Sequence, residues 1–221
     1  MLAKRLVTLA VAALVAAAGS AVPAKAASTP AIAAFESAFA SINDMTYELR
    51  SHEAKDGNVQ DRVYAYSFMK PHWAKTLIVS GPGNGSGGVW AGGDQVSGHM
   101  GGFLSGIHLK TDLHDGRAIS MLGYTIPDGL MQNVVGLYRN TAGQLSQHAS
   151  GAIGGIPTEE VDLVPTNPSD LKGATRCAIY FSTATHLAVR NICYIGDKTM
   201  LDQSFNDVKP NTGLTQNDFP F

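Results

Sequence analysis

The sequence predicts an α+β fold: an incomplete antiparallel β-barrel of about ten strands whose mouth is covered by two helices. Two observations support this fold. Patterns typical of one helix, about five strands, a second helix and about five more strands follow one another along the chain. The last third, 175–208, consists of apolar runs separated by short polar breaks, which is typical of an antiparallel meander. A sheet of this size is expected to curl towards a barrel.

The first helix is predicted over 30–42 and the first strand from Met45. Pro30 suits the first position of a helix, where no amide donor is missed, and Ser28 or Thr29 can cap it. The apolar residues that recur at helical spacing are Ile32, Phe35, Phe39 and Ile42. From Met45 the apolar period changes to two, which indicates a strand with one solvent-facing side.

The first half of the chain continues with four more predicted strands. They cover 59–69, 73–80 and two short stretches at 89–90 and 95–96. The glycine-rich run 81–88 is interpreted as a flexible hairpin loop, because a phosphate-binding loop would be followed by a lysine and a helix. Residues 98–120 show neither the apolar period of a helix nor that of a strand, and we interpret them mostly as loop.

The second half is predicted to contain a helix over 127–138, strands over 144–152 and 158–164, and the closing meander. Within the meander, a hairpin folded about Thr185 places Cys177 and Cys193 directly opposite each other.

The N-terminus predicts export. Lys4 and Arg5 precede an apolar run, and the sequence Ala24-Lys25-Ala26 has the form of a signal-peptidase site. The alternative, a transmembrane anchor, would need about 20 apolar residues. We therefore expect a signal peptide at 1–26, cleaved near Ala26, and a single mature domain at 27–221 in the periplasm.

Charge and cysteine usage restrict the partners and the compartment. The mature domain carries 13 basic and 18 acidic residues, hence a net charge of −5, without a basic cluster. Nucleic-acid binding is therefore not expected, because it depends largely on neutralising phosphates. The two cysteines of an exported chain favour a structural Cys177–Cys193 disulfide. A reactive thiol or a metal-binding pair is the alternative, but no His/Cys cluster accompanies them in the sequence.

No catalytic residue, metal site or cofactor is predicted, and an enzyme is not expected. His99, His108 and His114 fall close together, but their spacings of nine and six residues match no familiar metal-ligand pattern. The G-x-S-x-G motif of serine hydrolases does not occur in the sequence. A metal-dependent enzyme that uses the His99–His114 segment is kept as the weakest alternative.

Several stretches resemble the periplasmic lipoprotein-carrier family (LolA-like). The C-terminal 205–211 stretch, followed by Gly213-Leu214 and Asp218-Phe219, looks like that family's closing strand and "N-x-x-L … F" segment. Residues 185–190, Thr-His-Leu-Ala-Val-Arg, resemble its "T-x-L-P-x-R" step, with alanine in place of proline. Residues 116–130 also resemble a related, uncharacterised domain family. The resemblance implies a half-barrel with an apolar interior that accepts acyl chains.

From this fold we expect a soluble periplasmic carrier that holds the acyl group of a lipid or lipoprotein, with an inner- or outer-membrane protein as a further partner. The alternative is a periplasmic interaction or sensor module on the same fold. The residues expected to close the cavity are Phe35, Phe39, Leu130, Val134 and Leu137. Those expected to form its wall are Tyr47, Phe68, Trp73 and Val79.

Overall fold

The computed structural model describes residues 28–102 and 106–220, so the predicted signal peptide lies outside the described residues. Its helices are α1 (Pro30–Ala40) and α2 (Met131–Asn140). Its strands are β1 (Asp44–Lys55), β2 (Asn58–Met69), β3 (Trp73–Ser80), β4 (Gly87–Trp90), β5 (Gln95–His99), β6 (His108–Asp112), β7 (Gly143–Ile153), β8 (Ile156–Pro165), β9 (Arg176–Ser182), β10 (Ala188–Ile195) and β11 (Lys198–Pro210). None of the described helices is long and apolar enough to cross a membrane.

All eleven strands form one antiparallel sheet in the order β6-β5-β4-β3-β2-β1-β11-β10-β9-β8-β7. The sheet is two meanders joined at its centre, where the first strand pairs with the last from Met45 opposite Pro210 to Glu53 opposite Leu201. β6 and β7 form the two edges, so the barrel remains open. The predicted α+β incomplete barrel is confirmed, with eleven strands in place of about ten.

The sheet has an inner face, which the helices cover, and an outer face. Side chains alternate between the two faces, so Met45, Tyr47 and Leu49 of β1 point inwards and are almost completely buried. From α1, the Phe35 ring lies 5.8 Å from the Phe181 ring of β9. From α2, the Tyr138 hydroxyl donates a hydrogen bond of 2.7 Å to Asn191 on β10. The helices therefore fix the core on the β7–β11 side and over the central strands.

The main differences between the predicted and the observed elements concern β6 and the two helices. Strand β6 lies within the region interpreted as loop, because an edge strand that is mostly exposed on both faces shows no alternation. Helix α2 begins at Met131 and not at Pro127, because Pro127–Gly129 form a separate 3-10 turn. Helix α1 ends at Ala40, two residues before the predicted end.

The predicted disulfide is confirmed: Cys177 and Cys193 are bonded and lie opposite each other on β9 and β10. Both are buried in the core, on the inner face with Ile179. A bulge between Ala188 and Arg190 interrupts the alternation of β10 and brings Ala188, and not Val189, into the core.

The C-terminal tail is fastened to the start of β1 by a buried carboxylate. Asp44 Oδ1 accepts hydrogen bonds from the backbone amide of Thr212 at 2.6 Å, its hydroxyl at 2.8 Å and the amide of Gly213 at 3.1 Å. Burial alone would raise the pKa of Asp44, but hydrogen bonds from Thr212, Leu214 and Gly213 outweigh it and lower the pKa. Further along the tail, Phe219 packs its ring 5.8 Å from that of Trp73.

Candidate ligand-binding cavity

A cavity of about 390 Å³ lies between the inner face of β1–β6 and the segment 113–129, which we call the covering segment. This volume is within the range of small-molecule sites, about 300–1,000 Å³. The strand residues that line it include Leu49, Ser51, Glu53, Arg62, Tyr64, Tyr66, Thr76, Ile78, Val96, Leu109 and Thr111. The covering segment contributes Arg117, Ala118, Ile119, Ser120, Tyr124, Thr125 and Ile126.

Two glycines help to keep this space open. Gly88 on β4 and Gly98 on β5 lie opposite each other, in line with the inner-facing Thr76 of β3. A Cβ atom at Gly98 would lie 2.5 Å from the carbonyl oxygen of Gly87. A Cβ atom at Gly88 would lie 2.8 Å from Cδ1 of Ile126 in the covering segment. Because both positions are glycine, neither β4 nor β5 projects a side chain into the cavity at this level.

Two stacked tyrosines connect the inner face to the covering segment. The rings of Tyr47 and Tyr66 lie 5.2 Å apart and nearly parallel. Tyr47 donates to the carbonyl oxygen of Gly129 at 2.9 Å, and Tyr66 donates to that of Ile126 at 3.3 Å. Burial raises the pKa of both phenols well above the usual value, so they remain neutral donors. A Cβ atom at Gly129 would lie 2.1 Å from the Tyr66 hydroxyl, which explains the glycine there.

The wall of the cavity changes from apolar to polar along β1 and β2. Leu49 and Tyr66 are apolar and buried, whereas Ser51, Glu53 and Arg62 lie nearer to the β1–β2 turn. Glu53 Oε2 accepts a hydrogen bond of 2.9 Å from the amide of Leu122 in the covering segment. This contact ties the polar end of the wall to the segment above it.

Arg62, which lies opposite Ser51 at the polar end, is held in place by two hydrogen bonds. Its Nε donates to the carbonyl oxygen of Pro82 at 2.7 Å, and its Nη1 donates to the Tyr64 hydroxyl at 3.4 Å. These contacts join β2 to the loop between β3 and β4. The cavity can thus hold an apolar group at one end and a hydrogen-bonding group at the other.

The structure brings seven of the nine predicted site residues together, but in the packed core beside the cavity. Phe35, Tyr47, Phe68, Leu130 and Val134 are buried, and Phe39 and Leu137 pack against them. The Phe39 ring lies 5.4 Å from that of Phe35 and 5.9 Å from that of Phe68. None of the nine is among the residues that line the cavity. Their role as ligand contacts stays a prediction.

Trp73 and Val79 depart from the predicted placement, because they lie on the outer face. Ala74 pairs with the buried Phe68, so the inner positions of β3 are Ala74, Thr76 and Ile78. Trp73 instead contacts the C-terminal Phe219, and Val79 is 43% exposed. They therefore do not form part of the inner wall.

Sequence reasoning missed the polar end and the covering segment. The covering segment lies in a region without periodicity, and its position over the sheet depends on distant contacts such as that between Leu122 and Glu53. One signal was available: Gly88 and Gly98 occupy strand positions that face the interior. Glycines at such positions indicate a close approach of another group or an open space.

The His99–His114 segment, which the weakest alternative uses as a metal site, includes parts of two paired strands. His99 and His108 lie opposite each other on β5 and β6, with ring centroids 6.1 Å apart. His114 lies near the exposed Asp112, with Nδ1 3.7 Å from Oδ1. Within 28–102 and 106–220, no group of three or more His, Cys, Asp or Glu side chains is placed to hold a metal ion.

Comparison with known proteins shows a likeness in structure only. No family model and no curated protein matches the sequence. Among solved structures, the chain is similar to an uncharacterized conserved protein from Thermus thermophilus, with a TM-score of 0.54 and 9% identity over 86% of this chain and 90% of that one. At this identity the likeness shows the fold alone.

Two further structures are similar over most of their length. One is the lipoprotein LppX from Mycobacterium tuberculosis, with a TM-score of 0.48 and 15% identity over 84% of this chain and 95% of that one. The other is a LolA superfamily protein from Nitrosomonas europaea, with a TM-score of 0.39 and 9% identity over 88% and 99% of the two chains.

Proposed function

We propose that the protein is a carrier that binds a hydrophobic ligand, such as the acyl chain of a lipid or lipoprotein, in the cavity under the covering segment. The observation that carries this proposal is the cavity itself, about 390 Å³ beside a fully packed core. A protein interior is normally filled to crystal-like density, so a preformed space of this size with apolar walls is typical of a ligand site.

The energetics of apolar burial support an acyl chain as the ligand. The wall offers Leu49, Tyr66, Val96 and Ile126 to such a chain. Each methylene group that moves from water into these surroundings contributes about 0.8 kcal/mol. The LolA-like fold and the sequence resemblance to lipoprotein carriers support the same ligand class.

We further propose that the carrier works in the periplasm and receives or delivers its ligand through a membrane or protein partner. The signal-peptide pattern at the N-terminus and the Cys177–Cys193 disulfide both support an oxidising compartment outside the cytoplasm. The net charge of −5 predicted for the mature domain argues against attraction to anionic membrane surfaces. A protein partner at the membrane is therefore the favoured route.

A matched pair of substitutions on β3 tests the proposal. Ile78 faces the cavity, and its neighbour Leu77 is exposed on the outer face. We expect Ile78→Trp to fill the cavity and weaken binding of a fluorescent fatty-acid probe about tenfold or more, whereas Leu77→Trp leaves binding unchanged. Native mass spectrometry of the protein from its own periplasm should show a bound lipid. If neither method detects a ligand on the unmodified protein, the carrier function is wrong.

A second candidate is the interaction or sensor module, in which the fold recognises a protein partner. The observation that favours it is the half of the inner face under α1 and α2, which is filled by side chains such as Phe35 and Phe181. A filled interior needs no ligand. Co-purification of a stoichiometric protein partner, together with an empty cavity in native mass spectrometry, would favour this function over a carrier.

A further inference from the structure

The polar end of the cavity contains buried groups whose hydrogen-bonding capacity the chain does not use. The Ser51 hydroxyl is buried and has no partner among the described residues. Glu53 is only 3% exposed, and within the part of the chain that the structure describes its carboxylate accepts one hydrogen bond, from the amide of Leu122. A carboxylate can accept about four hydrogen bonds, so most of its capacity is open. Buried polar groups without partners are costly, and native sites satisfy them with water or ligand.

The two charges at this end do not neutralise each other directly. Among the described residues, the guanidinium of Arg62 has no carboxylate within 4.0 Å, and the carboxylate of Glu53 has no cation within that distance. Arg117, the other cation on the wall, is paired with Asp115 at 2.8 Å. The polar end therefore presents one donor group and one acceptor group to the same space, with no net charge.

Strand register gives this arrangement a direction. Arg62 lies directly opposite Ser51, and Glu53 is two residues further along β1 towards the turn. Away from the β1–β2 turn, Leu49 and Tyr66 lie beside Gly129, which is close to the start of α2. A ligand with one polar and one apolar end can satisfy both regions only with its head at Ser51, Glu53 and Arg62 and its chain towards the helices.

We propose that the cavity selects a single-chain amphiphile with an uncharged head that carries both a hydroxyl donor and a carbonyl acceptor, such as a monoacylglycerol. The hydroxyl donates to Glu53, and the carbonyl accepts from Arg62. A net anion would be repelled by Glu53 and a net cation by Arg62, so each charged head gains from one group and loses to the other. The inference rests on the proposed carrier function and specifies the class of its ligand.

The test compares three ligands with the same chain: monolauroylglycerol, methyl laurate and laurate. Affinities are measured by displacement of a fluorescent probe from the whole mature chain. We expect monolauroylglycerol to bind about tenfold or more tightly than methyl laurate, which lacks the donor, and more tightly than laurate. Equal binding of monolauroylglycerol and methyl laurate would overturn the inference and leave the carrier function intact. Tighter binding of laurate would overturn it in favour of an anionic head. No binding of any of the three would contradict the carrier function itself.

Substitutions at the polar end then locate the head. Glu53→Gln keeps an oxygen for the Leu122 amide but removes the charge, and Arg62→Met keeps the apolar stem without the guanidinium. We expect either change to reduce the preference for monolauroylglycerol over methyl laurate several-fold, while the affinity for methyl laurate stays the same. Arg50→Met, at an exposed arginine on the outer face of the same sheet, is the control and should keep the full preference. An undiminished preference in correctly folded Glu53→Gln and Arg62→Met proteins would overturn the assignment.

Discussion

The inner face of the sheet has two halves that differ in what covers them. Over β7–β11 and the central strands, helices insert large side chains, and Phe35, Phe181 and Tyr138 fill the space. Over the rest of β1–β6, the irregular covering segment lies above the sheet, two inner positions of β4 and β5 carry glycine, and a cavity remains. The same sheet thus provides a packed, disulfide-linked core on one side and a cavity on the other. We therefore expect stability to depend on one set of residues and the proposed ligand binding on another.

The sharpest test of this division is a large-to-small substitution in the packed half. Phe35 is 2% exposed and contacts two other aromatic rings. We expect Phe35→Ala to lower the free energy of unfolding by about 3–5 kcal/mol, because it leaves a cavity in a close-packed core. Urea unfolding followed by tryptophan fluorescence measures the change.

The matched substitution in the open half is Ile78→Ala. We expect it to lower the free energy of unfolding by only about 1 kcal/mol, because the side chain already borders the cavity. The affinity of folded Phe35→Ala protein for an acyl probe should be unchanged. Equal losses of stability for the two variants would show that the halves do not differ as described.

A second test concerns the glycines of the open half. Gly98→Ala would place a Cβ atom 2.5 Å from the carbonyl oxygen of Gly87, so β4 and β5 must shift. We expect a loss of about 1–3 kcal/mol in the free energy of unfolding and a weaker affinity for an acyl probe. Gly151→Ala on β7 is the control, since nothing lies within 4 Å of its added Cβ atom. It should change the free energy of unfolding by no more than about 1 kcal/mol. A Gly98→Ala protein that behaves like this control would refute the role of Gly98.

The smallest expected effect lies outside both halves, at the tail contact of Asp44. Its pKa is lower in the folded protein than in the unfolded chain, so the unfolded state takes up a proton first as the pH falls. The stabilisation from Asp44 is therefore complete above about pH 4 and is lost as the pH drops through the folded pKa. Comparison of unfolding at pH 7 and pH 3 should show a larger loss for the native protein than for Asp44→Asn. Identical pH dependence of the two proteins would show that the Asp44 carboxylate does not contribute this stabilisation.

The sequence predicted what depends on local pattern and failed where distant contacts decide. Period-two alternation located β1, β2 and β3 closely, and hairpin geometry paired Cys177 with Cys193. The alternation of β3 does not reveal which of its faces is inner, because both carry apolar residues; Trp73 and Val79 were assigned to the wrong side for this reason. The covering segment has no pattern of its own. Its position depends on contacts with distant residues, among them the hydrogen bonds to Tyr47, Tyr66 and Glu53.

The pairing of β1 with β11 has a consequence for the order in which the molecule is made. The centre of the sheet joins the first strand synthesised to the last, so no truncated chain can complete it. Until β11 emerges, β1 presents an unpaired edge that could pair with other chains. The pairing of two strands that lie so far apart in the sequence is intrinsically slow. The central strand pair of this topology therefore forms only after the whole polypeptide is available.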